Sequence, residues 1–134
     1  MEPLKSNPKR QAIPTLKGYS YQIWRSLLSW IDLQEGQSLF LEGAEDIDLY
    51  TSDSVEVTQV KEISESGTLT LRSSDSIEAI NNFWEHQNKN KEVRIKFKFL
   101  TTAERGSEKP NPFGNVCGLD FWDSCKYPGS DNTL

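Results

Sequence analysis

The sequence predicts an α/β fold in which one mixed sheet is flanked by helices. Three observations support this fold class. Apolar residues recur at helical spacing over residues 20–33, three short strand-like segments follow within residues 38–61, and residues 93–99 alternate between apolar and basic. A second helix is expected before the last of these strands. The predicted order of elements is therefore α-β-β-β-α-β.

The first helix is indicated by apolar residues that lie three or four positions apart and so share one face. These residues are Tyr21, Trp24, Leu27, Leu28 and Ile31. Residues 1–17, before this helix, contain three prolines and four basic residues. Because proline disfavours regular structure, we expect these residues to form an extended, basic amino-terminal arm.

The three predicted strands follow the first helix closely. Residues 38–42 form a short apolar run that stops at Gly43, and residues 46–50 alternate acidic and apolar side chains. A turn at residues 52–54 leads into residues 55–61, which are rich in β-branched side chains. The short turn favours a hairpin between the second and third strands.

The second half of the chain contains one more helix and one more strand. Asp75, with Glu78 three residues later, predicts a capped helix start, and His86 is expected on the surface of that helix. The last strand alternates apolar side chains with Arg94, Lys96 and Lys98. This basic stripe either contacts a nucleic-acid backbone or keeps the outer face of the strand soluble.

Residues 104–134 lack a regular pattern but contain aromatic side chains that need a packing partner. We therefore predict an arm over residues 1–17, a core over residues 18–103, and an irregular segment over residues 104–134 that continues into a larger protein. The 134 residues suffice for one domain, and no apolar run is long enough to span a bilayer. A soluble, cytoplasmic protein is expected.

Composition alone does not favour binding to nucleic acid, because the net charge is -5. Two cysteines are too few for a disulfide scaffold or a complete zinc site, and no phosphate-binding glycine-rich loop is present. An isolated NTPase is therefore disfavoured. A histidine-centred catalyst is also disfavoured, because the chain has a single histidine. Only local basic patches, or acidic sites neutralised by a metal ion, remain as contacts for a polyanion.

Polar residues interrupt the apolar face of the third strand. Gln59 and Lys61 follow two valines on the same face of residues 55–61. Asp46 and Asp48 share a face of the preceding strand, so hairpin pairing is expected to bring one or both of them close to Lys61. Carboxylate and amide oxygens suit a hard cation, and lysine can stabilise a phosphate. A solvated strand face near a turn is the alternative explanation for the two aspartates.

An acidic residue at position 46, a spacer and the Gln59-x-Lys61 motif resemble the Asp...Gln-x-Lys variant of the restriction-endonuclease-like, or PD-(D/E)xK, nucleases. More narrowly, these motifs together with residues 18–22 and 99–103 resemble the amino-terminal double-stranded DNA endonuclease domain of bacterial anti-phage effectors. Those effectors include proteins of cyclic-oligonucleotide-based defence and related nuclease-NTPase proteins. The resemblance covers residues 18–103 and agrees with the predicted order of elements.

The resemblance implies Mg²⁺- or Mn²⁺-dependent cleavage of DNA. The residues carried over are catalytic Asp46, Gln59 and Lys61, metal-binding Asp46, Gln59, Asp48 and Glu42, and supporting Gln22. Asp46 is favoured over Asp48 as the principal ligand, but the sequence leaves the choice open. The resemblance also implies DNA as substrate, sensor or regulatory domains in the same longer chain, and activation by oligomerisation. A catalytically inactive interaction module and a nuclease for RNA or branched substrates remain as alternatives.

Overall fold

The computed structural model describes residues 12–63 and 67–125 and confirms the α/β class, with a mixed four-stranded sheet flanked by helices. In chain order the elements are α1 (Ala12–Ile31), β1 (Ser38–Leu41), β2 (Ile47–Tyr50), β3 (Val55–Lys61), β4 (Thr68–Leu69), α2 (Ser74–Lys89), β5 (Ile95–Thr101), β6 (Glu104–Arg105) and α3 (Gly118–Ser124). Two short strands and a third helix are thus added to the predicted order. Within the described residues, no helix has the length and apolar character needed to cross a membrane.

The sheet has the strand order β1-β2-β3-β5. β1, β2 and β3 pair antiparallel, which confirms the predicted hairpin, and Asp48 lies opposite Val57 in it. β5 pairs parallel with β3. A parallel neighbour requires a crossover connection, and the segment with β4 and α2 supplies it. β4 and β6 form a separate two-stranded parallel sheet.

The core lies on both faces of the sheet. Ile47, Val55 and Val57 are buried in its central strands. α1 packs against β1 and β3, and α2 packs against β5. The α2 contact includes Phe83, whose ring lies 5.7 Å from that of Phe97. Because alternate residues of β3 face opposite helices, the end of this strand can present different side chains to α1 and α2.

Both ends of the described chain are more regular than the sequence predicts. α1 begins at Ala12, so residues 12–17 are helical and not part of an extended arm. Pro14 lies in the first turn of α1, where the missing amide hydrogen of proline costs no helical hydrogen bond. Residues 1–11 lie outside the described residues. In the segment predicted as irregular, residues 104–125 include β6 and α3, while residues 126–134 lie outside the described residues.

Glu108 fastens the carboxy-terminal segment to the rest of the domain. Its buried carboxylate accepts hydrogen bonds from the amides of Leu71, at 3.0 Å, and Gly118, at 2.8 Å. Phe113 and Phe121 stack with their rings 4.9 Å apart. Two of the aromatic rings of this segment therefore pack against each other within the domain.

The start of α2 also differs from the prediction. The residue at the N-cap is Ser73, whereas Asp75 lies in the first turn and accepts a hydrogen bond from the Lys61 ammonium. The predicted capping role of Asp75 is therefore wrong. An ammonium is a stronger partner for a carboxylate than a neutral backbone amide.

Candidate active site

Asp46 precedes β2 and is held in place from two sides. Its Oδ2 accepts a hydrogen bond from the Val60 amide at 2.6 Å, and its Oδ1 accepts one from Gln22 Nε2 at 3.1 Å. Val60 belongs to β3 and Gln22 to α1. The carboxylate is therefore fixed between the first helix and the strand that carries Gln59 and Lys61.

Gln22 joins two carboxylates at this point. Its Nε2 donates to Glu42 Oε1 at 2.5 Å as well as to Asp46. The backbone amide of Glu42 also donates to the Asp46 carbonyl oxygen at 3.1 Å. The structure thus brings together three of the predicted site residues. Glu42 adopts the left-handed backbone conformation at this point, with a φ of 53°.

The surroundings of Asp46 are electrostatically unfavourable for its charge. Burial raises the pKa of the Asp46 carboxyl, the Val60 amide opposes this rise, and the nearby charges of Glu42 and Asp48 raise the pKa further. A cation beside these carboxylates would relieve the repulsion between them. Accumulated negative charge of this kind is typical of an oxygen-ligand metal site.

Asp48 has a different environment. Its side chain is 1% exposed, and its two oxygens accept hydrogen bonds from the amides of Ala44, at 2.5 Å, and Glu45, at 3.1 Å. A Cβ atom at Gly43 would collide with this carboxylate, so glycine is required there. Asp48 therefore shapes the turn that carries Asp46.

Gln59 has an unsatisfied polar atom. Its Oε1 is buried and has no hydrogen-bond partner among the described residues. Leaving a buried acceptor unpaired costs about 1–3 kcal/mol, so such an atom needs an explanation. The residue that follows it, Val60, anchors Asp46. An amide oxygen in this position is available as a ligand for a hard cation.

Lys61 contacts a residue that the sequence analysis did not predict. Its Nζ lies 2.9 Å from Asp75 Oδ1, and this hydrogen bond raises the pKa of the Lys61 ammonium. The expected pairing of Lys61 with Asp46 or Asp48 is not found among the ion pairs of the described residues. Lys61 pairs with Asp75 of α2, whereas Asp46 accepts a hydrogen bond from Gln22 of α1.

A second unpredicted contact fixes the turn before β2. His86 Nε2 lies 2.7 Å from Glu45 Oε1, and the two side chains are 18% and 11% exposed. The expectation of a surface histidine is therefore wrong. The two residues are 41 positions apart, and neither lies in a motif, so no sequence signal could have paired them.

The basic residues of the last strand lie on the other face of the sheet from Gln59 and Lys61. The register of β5 places Phe99 beside Gln59 and Thr101 beside Lys61, so Lys96 and Lys98 project from the opposite face. Lys98 forms an ion pair with Glu56 at 3.5 Å on that face. The sheet therefore separates Lys96 and Lys98 from the side chains of Gln59 and Lys61, and Arg94 lies just before β5.

The available donors suit a hard cation but do not form a dense acidic cluster. Among residues 12–63 and 67–125, no group of three or more histidine, cysteine or acidic side chains is placed to hold a metal ion. The candidate donors are the carboxylate oxygens of Asp46 and Glu42, which Gln22 joins, and the unpaired Oε1 of Gln59 on β3. Such a set fits Mg²⁺ in chemical type, because Mg²⁺ prefers few protein ligands and retains several waters.

No protein-family model, curated protein or solved structure matches this chain.

Proposed function

We propose that this chain is a Mg²⁺-dependent endonuclease domain that hydrolyses phosphodiester bonds of double-stranded DNA. The observation that carries the proposal is the buried, unpaired Oε1 of Gln59, one residue before the amide that anchors Asp46. A hard cation would satisfy that oxygen and compensate the charges of Asp46 and Glu42 together. The resemblance of Asp46...Gln59-x-Lys61 to restriction-endonuclease-like nucleases supports the same assignment.

The cation would be held by Asp46, Gln59 and Glu42. When bound, Mg²⁺ or Mn²⁺ supplies Lewis-acid stabilisation of phosphate charge and lowers the pKa of water. Asp48 remains a residue of the turn, because both of its oxygens already accept backbone amides. We therefore favour Asp46 over Asp48 as the principal ligand.

The other residues would act on orientation and charge. Gln22 holds Asp46 and Glu42 at a fixed separation through its two hydrogen bonds, which prepares the oxygens before substrate arrives. Lys61 would place its ammonium against a non-bridging phosphate oxygen or orient the attacking water, and so stabilise the charge that develops in the transition state.

The domain would work within a longer, cytoplasmic defence protein. In the effectors that it resembles, sensor or regulatory domains and oligomerisation bring nuclease domains together. Such regulation is compatible with the net charge of -5, because an isolated acidic domain has little general attraction for DNA.

The proposal is tested by cleavage of supercoiled plasmid DNA with Mg²⁺ or Mn²⁺, using the wild-type chain tethered as a dimer. Lys61→Ala and Asp46→Ala should each abolish cleavage while the domain stays folded. Lys96→Ala serves as the matched control, since it removes a lysine from the opposite face of the sheet and should leave cleavage unchanged. Full activity of Lys61→Ala would refute the assignment.

A non-catalytic interaction module is the second candidate, and the surface of α1 favours it. Ile23, Trp24, Trp30 and Ile31 are each between 64% and 68% exposed. Exposed apolar surface of this extent marks contact sites for other proteins. Calorimetric binding of Mg²⁺ without cleavage, in the full-length protein with its activating signal, would support this function over the nuclease.

A further inference from the structure

We propose that Asp75 is the positioning residue of Lys61, fixing its ammonium at the end of β3 where the substrate phosphate is met. This inference rests on the proposed nuclease function. Lys61 is the last residue of β3, and Asp75 lies in the first turn of α2, with 2.9 Å between Nζ and Oδ1. The two side chains are 42% and 28% exposed, so the pair is accessible to a polyanion but not fully solvated.

The carboxylate of Asp75 is a fixed anchor because the start of α2 is itself immobilised. The Ser76 hydroxyl is buried and donates to the Thr70 carbonyl oxygen at 2.7 Å. The Thr70 amide in turn donates to Ser73 Oγ at 2.9 Å. One turn of α2 is thus fastened to the segment after β4.

Asp75 does not cap α2, although the sequence predicts that it does. Ser73 occupies the N-cap, so the Asp75 side chain is available to the ammonium. The first turn of a helix favours a negative charge, so this position suits the carboxylate that pairs with Lys61. The ion pair between Lys61 and Asp75 therefore forms without a bound substrate.

A lysine side chain has a flexible four-carbon stem, and its ammonium is poorly placed unless another group holds it. Lys61 shares its face of β3 with Gln59, the proposed metal ligand. Fixing the ammonium on this face would place it next to the phosphate that the metal ion binds. Loss of the anchor would leave the charge present but misplaced.

The test compares Asp75→Asn, Asp75→Glu and Glu78→Gln in the full chain. Glu78→Gln is the matched control, because it removes one negative charge from α2 and also lies close enough to influence Lys61, but it forms no ion pair with it. Single-turnover cleavage and plasmid binding are measured with Mg²⁺, and ¹³C-methylated lysines are followed by NMR as a readout independent of cleavage.

We expect Asp75→Asn to cleave about 10- to 100-fold more slowly, as an ångström-scale misplacement implies, with plasmid binding changed less than about twofold. Its Lys61 methyl signal should move to the position of exposed lysines. Asp75→Glu should recover most of the rate, and Glu78→Gln should behave as wild type in both measurements.

Three other results would overturn the inference, and they distinguish its failure from failure of the nuclease assignment. Wild-type cleavage by Asp75→Asn, with Lys61→Ala inactive, removes Asp75 as a positioning residue and leaves the nuclease assignment intact. Equal losses in Asp75→Asn and Glu78→Gln have the same meaning, because a general charge effect then explains the result. No cleavage by the wild-type protein overturns both proposals.

Discussion

Asp48 and Asp46 are two residues apart and were both expected as metal ligands, but the structure gives them different roles. Asp48 binds the amides of Ala44 and Glu45 and is almost completely buried. Asp46 is half-buried, and its pKa is raised by burial and by the charges of Glu42 and Asp48. We therefore expect Asp48→Asn to reduce stability strongly in the absence of any metal ion.

The magnitude follows from the two hydrogen bonds. Asparagine keeps one carbonyl oxygen for one amide, and its NH₂ group faces the other amide donor-to-donor. Losing one hydrogen bond to a charged acceptor, and weakening the second, costs about 3 kcal/mol. For a domain of this size that corresponds to a fall of roughly 10 °C in Tm.

The assay is urea unfolding followed by tryptophan fluorescence in EDTA, with Asp53→Asn as the matched control. Asp53 is exposed and accepts one hydrogen bond, from Thr51 Oγ1 at 3.1 Å, so the same chemical change there should cost less than about 0.5 kcal/mol. Equal stability of Asp48→Asn and wild type would refute our account of the turn. A loss seen only with Mg²⁺ would instead identify Asp48 as a ligand.

Four further predictions concern metal binding, the pH dependence of two carboxylates and the histidine contact. Mg²⁺ at 100 times its Kd should raise the unfolding free energy of the wild-type chain by about 2.7 kcal/mol, and Asp46→Asn should remove this gain; an equal gain in both would exclude Asp46 as a ligand. Because the pKa of Asp46 is raised above 3.8, the metal-free wild type should also lose stability relative to Asp46→Asn as pH rises from 3.8 through the folded pKa. Burial alone raises the pKa of Glu108, but the amides of Gly118 and Leu71 lower it below 4.5. The stability from this carboxylate is therefore present above pH 4.5 and lost as pH falls through the lower folded pKa, and urea titrations of Glu108→Gln should lack that acid-side loss. His86→Ala should reduce the unfolding free energy by about 1–2 kcal/mol through loss of its contact with the turn, and an unchanged urea midpoint would show that this contact contributes nothing.

Local residue patterns predicted the strands that are long enough to show a period of their own. The patterns over residues 55–61 and 93–100 predicted β3 and β5, and the short turn predicted the antiparallel pairing of β2 with β3. Two-residue strands such as β4 and β6 carry too few positions for a period to be recognised. They form only because each is paired with the other.

Some residues of the candidate site could likewise be predicted from sequence, whereas their contacts could not. Gln59 could be singled out because a polar residue at an otherwise apolar position is visible in sequence, and Asp46 because acidic and apolar residues alternate there. Gln22 was indicated only by the family resemblance. Their partners could not be predicted, since Gln22 reaches Asp46 over 24 positions and Asp75 was read as a cap from its neighbours alone. Asp75 shows the limit most clearly, because its choice between a backbone amide and an ammonium depends on where β3 ends in space.

The sequence by itself therefore determined the fold class, the main strands and the residue types available for chemistry, because these depend on interactions between near neighbours in the chain. The tertiary structure alone decided that Asp48 holds a turn, that Lys61 pairs with Asp75, and that Gln59 retains a buried unpaired oxygen. Those outcomes depend on which side chains distant segments bring within hydrogen-bonding distance, about 3 Å.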